Sequence, residues 1–224
     1  MNQIRVWDWP TRLFHWSLAL LFVALVVSGQ IGGNALVWHF RAGYAVCSLL
    51  LFRFIWGFVG GHWSRWRQLS CSPRSIQQYL RQQNSEPESK DTYLGHNPLG
   101  SLSVIVLLSV LCLQIATGLF SDDEIANAGP LTIFASEVTI QWATFWHAEI
   151  GKLILFVLVG LHIGAIAWYF WKKQNNLLKA MLTGDKFSAI PATSSQDGPI
   201  AWFKGLLVLL LSAALVYALI SMGV

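Results

Sequence analysis

The chain has 224 residues, 54% of them hydrophobic and only 12% charged, a balance that excludes an ordinary soluble domain. Its net charge of +4 is shared among loops flanking apolar runs, so it does not point to nucleic acid. Cys47, Cys71 and Cys112 form neither CxxC nor CxxCH, which gives no sign of a thiolate metal site or of a cofactor attached through cysteine.

Several runs reach the roughly 20 apolar residues that a helix needs to cross a bilayer. The class read from the sequence is an all-α, multi-pass membrane protein. Residues 1–11 form a short interfacial lead-in, with Pro10 placed to start a helix. Span 1 covers about 12–27. It has the basic flank and apolar centre of a signal peptide, but His15 and Trp16 interrupt its core, so it is read as a retained span. Span 2 covers about 35–59 and carries His39, Arg41 and Arg53. A polar stretch follows, residues 61–97, with a short surface helix expected over 74–83 and a Gln/Asn/Ser-rich run from Gln82 to Pro87. Span 3, residues 98–120, has no charge, and an acidic loop with Asp122, Asp123 and Glu124 leads to span 4, about 142–171. A second polar loop reaches Pro199, and span 5 covers about 204–221. Tryptophans at run ends (Trp7, Trp9, Trp63, Trp66, Trp142, Trp171, Trp202) fit interfacial belts.

Lys and Arg set the orientation. Arg5 and Arg12 precede span 1. Arg65, Arg67, Arg74, Arg81 and Lys90 lie between spans 2 and 3, and Lys172, Lys173, Lys179, Lys186 and Lys204 between spans 4 and 5. The other two loops have none, which predicts an N-terminus inside and a C-terminus outside. With that topology four histidines sort by depth: His39 with His147 toward the outside, His15 with His162 toward the inside. Along an ideal helix, the fifteen residues from His147 to His162 rise about 22 Å and bring the rings within roughly 60° of one another.

Intramembrane histidines are costly unless paired and are usually functional. Two imidazole pairs at two depths are what two non-covalent haems require, each iron taking one axial histidine from either side. Zinc or copper would want further thiolate or carboxylate ligands, and a proton-coupled transporter would also use buried His, Arg and Lys. Gly43, Gly151 and Gly160 lie within four residues of these histidines, where a missing side chain lets a flat macrocycle approach the backbone or lets helices pack closely. Arg41 and Lys152 at the outer level, and Arg53 at the inner, are candidate partners for haem propionates; snorkelling is the competing role for Arg41. His62 and His96 are loop residues expected to be solvated, with His96 placed to serve a quinone headgroup or proton relay.

An ordered set of short stretches then resembles a known family. They are Val6-Trp7-Asp8 with Pro10-Thr11-Arg12-Leu13-Phe14-His15-Trp16, His39 to Gly43-Tyr44, Phe52-Arg53 through Trp56-Gly57-Phe58-Val59-Gly60, and Gly95-His96-Asn97-Pro98-Leu99-Gly100. Thr117-Gly118-Leu119-Phe120, His147, Leu161-His162, and Asn176-Leu177-Leu178 with Met181 to Lys186 complete the set. The chain is similar over about 4–187 to the bacterial cytochrome b561 and Ni/Fe-hydrogenase b-type cytochrome family. The resemblance implies a four-helix bundle in the bacterial inner membrane with two haem b groups on His15, His39, His147 and His162. It also implies electron transfer between quinone and a redox partner, either a hydrogenase-like subunit or a cytochrome c. Residues 1–187 are accordingly read as the di-haem domain. Residues 188–224 are read as a linker with an extra helix that docks a partner or makes a homodimer. The second reading is a quinone-linked oxidoreductase that takes electrons from superoxide; the third is a non-redox transporter. The acidic outer loop is placed to steer a basic partner such as cytochrome c by long-range attraction.

Overall fold

The computed structural model of the chain describes residues 2–85, 93–125 and 127–223. Lys90, one of the basic residues used to orient the chain, lies outside them, as do Glu86 and Pro87 of the Gln/Asn/Ser-rich run. The described residues form α1 (Trp9–Ile31), α2 (Leu36–Val59), α3 (Pro73–Ser85), α4 (Pro98–Leu119), α5 (Glu137–Phe145), α6 (Lys152–Trp171), α7 (Leu177–Thr183) and α8 (Pro199–Ile220). A π-helical segment, Trp146–Gly151, joins α5 to α6 without a break. Five of these helical stretches are long and apolar enough to cross a membrane: α1, residues 33–59, α4, residues 137–171 and α8. In hydrocarbon each backbone N–H and C=O must be satisfied internally, so such runs have no good alternative to helix. Leu20, Trp38, Val157, Leu161, Phe203 and Leu210 all stand exposed on these helices, as side chains facing lipid would.

Helix ends follow local chemistry. Asn97 accepts from the Gly100 N–H at 2.7 Å and caps α4, with Pro98 in the first helical position, where its missing N–H costs nothing. Past the end of α1, Gly32 and Gly33 take positive φ of 67° and 52°, a turn that favours glycine and returns the chain into α2 within a few residues.

The chain divides into two compact units: residues 1–13, 55–107 and 159–206 in one, and 14–54, 108–158 and 207–224 in the other. The first is organised by Asp8, which is fully buried. Its carboxylate caps α1 by accepting from the Thr11 N–H at 2.8 Å. It also accepts from the Gly61 N–H at 3.0 Å, the Ser64 hydroxyl at 2.7 Å and the Trp56 indole at 3.2 Å. Because Ser64 spends its proton on Asp8, Thr11 must be the donor in the 2.7 Å contact between the two hydroxyls. The lead-in is therefore folded rather than merely interfacial. Asn2–Arg5 forms β1, paired antiparallel with β2 (Asp185–Ser188), Asn2 opposite Ser188 and Arg5 opposite Asp185. Ile4, Val6, Trp7 and Ala180 make a small core beside this pair.

The stretch expected to be a linker is held to the same unit. The Ser195 N–H donates to the Arg5 carbonyl at 2.7 Å, and its hydroxyl donates to the Val6 carbonyl at 2.9 Å. Asp197 accepts from the Trp9 N–H and the Trp202 indole, each at 2.9 Å, and pairs with Arg5 at 3.0 Å. The first turns of α8 continue the contact: Lys204 donates to the Val59 carbonyl at 2.7 Å, and a Cβ on Gly205 would stand 2.8 Å from Pro10. The amphipathic surface helix α3 is pinned by the Tyr79 and Tyr169 hydroxyls, which share a hydrogen bond and both accept from the Asn97 side chain.

Replacing Asp8 with Ala removes a cap worth about 1 kcal/mol and strands buried donors at about 1–3 kcal/mol each. The expected loss is about 3 kcal/mol or more, read as a lower thermal midpoint in detergent. Asp8→Asn, which keeps a capping oxygen, should fall between.

Candidate functional site

In the second unit, α1, α2, α4 and the 137–171 helix surround a cavity of about 370 Å³, within the usual range for cofactor pockets. Phe22, Leu25, Phe40, Ile115 and Phe156 make its walls apolar, while Asp122, Asp123, Asn127 and Lys152 supply polar groups. His39 from α2 and His147 from the π-helical segment both line it.

Each imidazole is held by a helix carbonyl. His39 Nδ1 lies 2.9 Å from the Leu25 carbonyl of α1, and His147 Nδ1 lies 2.9 Å from the Gln114 carbonyl of α4. A carbonyl can only accept, so both Nδ1 atoms carry the proton and both rings keep the Nε2 lone pair for a ligand bond. Gln114 answers the second bond, its side-chain amide donating to the His147 carbonyl at 2.8 Å. Glycines make room for the rings. A Cβ on Gly118 would stand 2.7 Å from His147 Cε1, and one on Gly29 would stand 3.2 Å from His39.

The two ring centroids are 6.0 Å apart and their planes stand at 87°. A metal–imidazole bond of about 2.0 Å on either side, with the ring nitrogen about 1.1 Å from its centroid, would put the two centroids about 6.2 Å apart. The spacing fits one metal ion between the rings. Among the described residues no cluster of three or more His, Cys, Asp or Glu could hold a bare ion. Two imidazoles alone suit a metal that already has four equatorial nitrogens, as in haem. Gly43 lines the cavity with nothing within 4 Å of its Cβ position, leaving open space for a flat group.

The other sequence candidates separate. Lys152 lines the cavity. Arg41 does not; it is exposed, with its guanidinium 4.9 Å from the Trp38 ring centroid. Gly151 serves helix packing rather than the cavity, since its Cβ would meet Gln114 and Trp146. Gly160 is exposed, with nothing within 4 Å. Arg53 is buried on α2 at 7% exposure. His15 belongs to the second unit, its ring edge-on to Trp16 at 5.1 Å, and His162 belongs to the first; both are half-buried. His96 was expected to be solvated, yet it is half-buried with its ring 4.7 Å from that of Trp7. The acidic loop spends carboxylate oxygens on its own backbone: Asp122 accepts from the Glu124 N–H, and Asp123 from those of Ile125 and Asn127.

Sequence reasoning missed Gln114, Gly118 and Gly29 as members of this site. Gln114 carried a readable signal, a large amide inside an otherwise apolar span; attention to charge alone passed over it.

A family model described as prokaryotic cytochrome b561 matches residues 6–184. The chain is 25% identical over 214 residues to a probable Ni/Fe-hydrogenase B-type cytochrome subunit of Bradyrhizobium diazoefficiens, covering 82% of this chain and 85% of that one. It is 27% identical over 201 residues to a protein of the same description from Azotobacter vinelandii, covering 72% and 80% respectively. No solved structure matches.

Gly118→Ala should drive the His147 ring off its carbonyl, at an overpacking cost of about 1–3 kcal/mol. A lowered thermal midpoint in detergent would register it; an unchanged one would mean that the ring does not rest on α4.

Proposed function

The chain belongs to the prokaryotic cytochrome b561 family, and on that footing we propose that it binds two haem b groups and passes electrons between membrane quinone and a redox partner protein. The family makes it a membrane b-type cytochrome. The observation that carries the finer reading is the outer pair, His39 and His147, with both Nδ1 protons committed to carbonyls and ring centroids 6.0 Å apart.

Haem b supplies a one-electron ferric/ferrous couple. What the protein adds at the outer site is a fixed tautomer on each axial ring, an apolar wall and one ammonium group. The carbonyl bonds make both imidazoles better donors without making them anionic. Lys152 is assigned to the propionates of this haem. His15 and His162 are assigned as axial ligands of the inner haem, with Arg53 for its propionates; depth under the charge bias supports that assignment. Residues 1–187 would form the di-haem domain, with residues 188–224 adding a docked fifth span to its four. The same bias gives an inside N-terminus in a bacterial inner membrane.

Quinone is the membrane-soluble reactant. The names of the relatives favour an Ni/Fe-hydrogenase-like subunit over a soluble cytochrome c as the protein partner. A superoxide-oxidising role gains less, because the outer cavity sets Asp122 and Asp123 beside its single Lys152 and offers an anion no positive funnel.

A pyridine haemochrome count on the purified protein should give two haems per chain, falling to one in His39→Ala or His147→Ala. Protein folded but free of haem would refute the reading. Near-perpendicular axial planes give a low-spin ferric haem a large-g EPR feature, so the wild-type spectrum should contain one that disappears in His147→Ala.

A further inference from the structure

His147 sits in the π-helical segment rather than in a regular turn, and such segments are frequent at functional sites. A π turn shifts the backbone hydrogen-bonding pattern, so something outside the segment must fix where the histidine points. Gln114 does this from α4 at two points. Its carbonyl accepts the His147 Nδ1 proton at 2.9 Å, and its side-chain amide donates to the His147 carbonyl at 2.8 Å. The first bond holds the ring and the second holds the backbone that carries it, so together they leave the imidazole little freedom to rotate.

The far end of the same amide points to a third element. Gln114 Oε1 and Trp146 Nε1 are both buried, and among the described residues neither has a hydrogen-bond partner. Both lie within 2.8 Å of the point where a Cβ on Gly151 would stand. An unpaired acceptor and an unpaired donor thus converge on the hydrogen of a glycine, at the end of the π segment. Any side chain at residue 151 would expel the Gln114 amide from its place.

We propose that Gln114 is the positioning residue of the outer site, setting the plane and donor strength of the His147 imidazole, with Gly151 providing the room it occupies. The inference rests on the reading that His39 and His147 bind the outer haem. Gln114 acts through the histidine. The His147 Nδ1–H bond to the carbonyl raises the basicity of Nε2 and so favours the ferric state. The acceptor is a backbone carbonyl that any residue at 114 would keep, so the side chain acts by its tie to the His147 backbone: losing that tie lets the Nδ1–H bond lengthen, which weakens the donor and raises the reduction potential.

Gln114→Ala and Gly151→Ala, each made in the full chain and purified with its haem, test this by potentiometric titration and EPR. In both variants the haem absent from His147→Ala should show a raised potential and a displaced large-g feature, while the other haem keeps its own. Gly151→Ala leaves the Gln114 chemistry intact and only displaces it, so it carries the test if Gln114→Ala fails to fold. An unmoved potential and g value, with His147→Ala still losing one haem, would reduce Gln114 to packing. Equal shifts in both haems would overturn the inference too, by showing general loosening. Wild-type protein without haem would overturn the functional reading, and this inference with it.

Discussion

A histidine proton resting on a helix carbonyl is the contact on which the outer site depends. Within hydrocarbon an imidazole has no water to satisfy it, and a free Nδ1–H would cost several kcal/mol. Leu25 and Gln114 supply the acceptors from neighbouring helices. Each bond does two jobs at once: it satisfies a buried donor, and it decides which nitrogen faces the cavity. Gly118 follows from the same requirement, since a Cβ there would stand 2.7 Å from the His147 ring, and Gly29 eases the fit of His39.

In the other unit a buried carboxylate plays the corresponding part. Asp8 is satisfied by hydrogen bonds from a backbone turn, a hydroxyl and an indole. The arrangement joins the start of α1, the end of α2 and the turn after it. Segments remote in sequence then complete the structure. Ser195 and Asp197 reach β1 and α1 across nearly the whole chain. The fifth span is thereby anchored at its first turns, not suspended on a flexible tether.

The helices were legible because membrane hydrocarbon leaves an apolar run so few choices. Spans expected near 35–59, 98–120 and 142–171 appear at 36–59, 98–119 and 137–171, and the surface helix expected over 74–83 appears at 73–85. The pairing of β1 with β2 was not legible: each strand is four residues long, and nothing local in either names a partner about 180 positions away. The convergence of His39 and His147 could be anticipated from depth. The means of holding them could not, because the acceptors are backbone carbonyls, which every residue possesses. The spacing from His147 to His162 holds for a regular α-helix, and the π-helical segment at 146–151 departs from one at the histidine itself.

The outer cavity and the strand pair differ in how much of the chain each needs. Every residue that lines the outer cavity lies between Phe22 and Phe156, so that cavity draws on nothing beyond the first turns of α6. Strand β1 must wait for β2 and then for Ser195, far along the chain, before its hydrogen bonds exist. A later stretch of the chain therefore seals an earlier one. Without β2, strand β1 would stand as a bare edge.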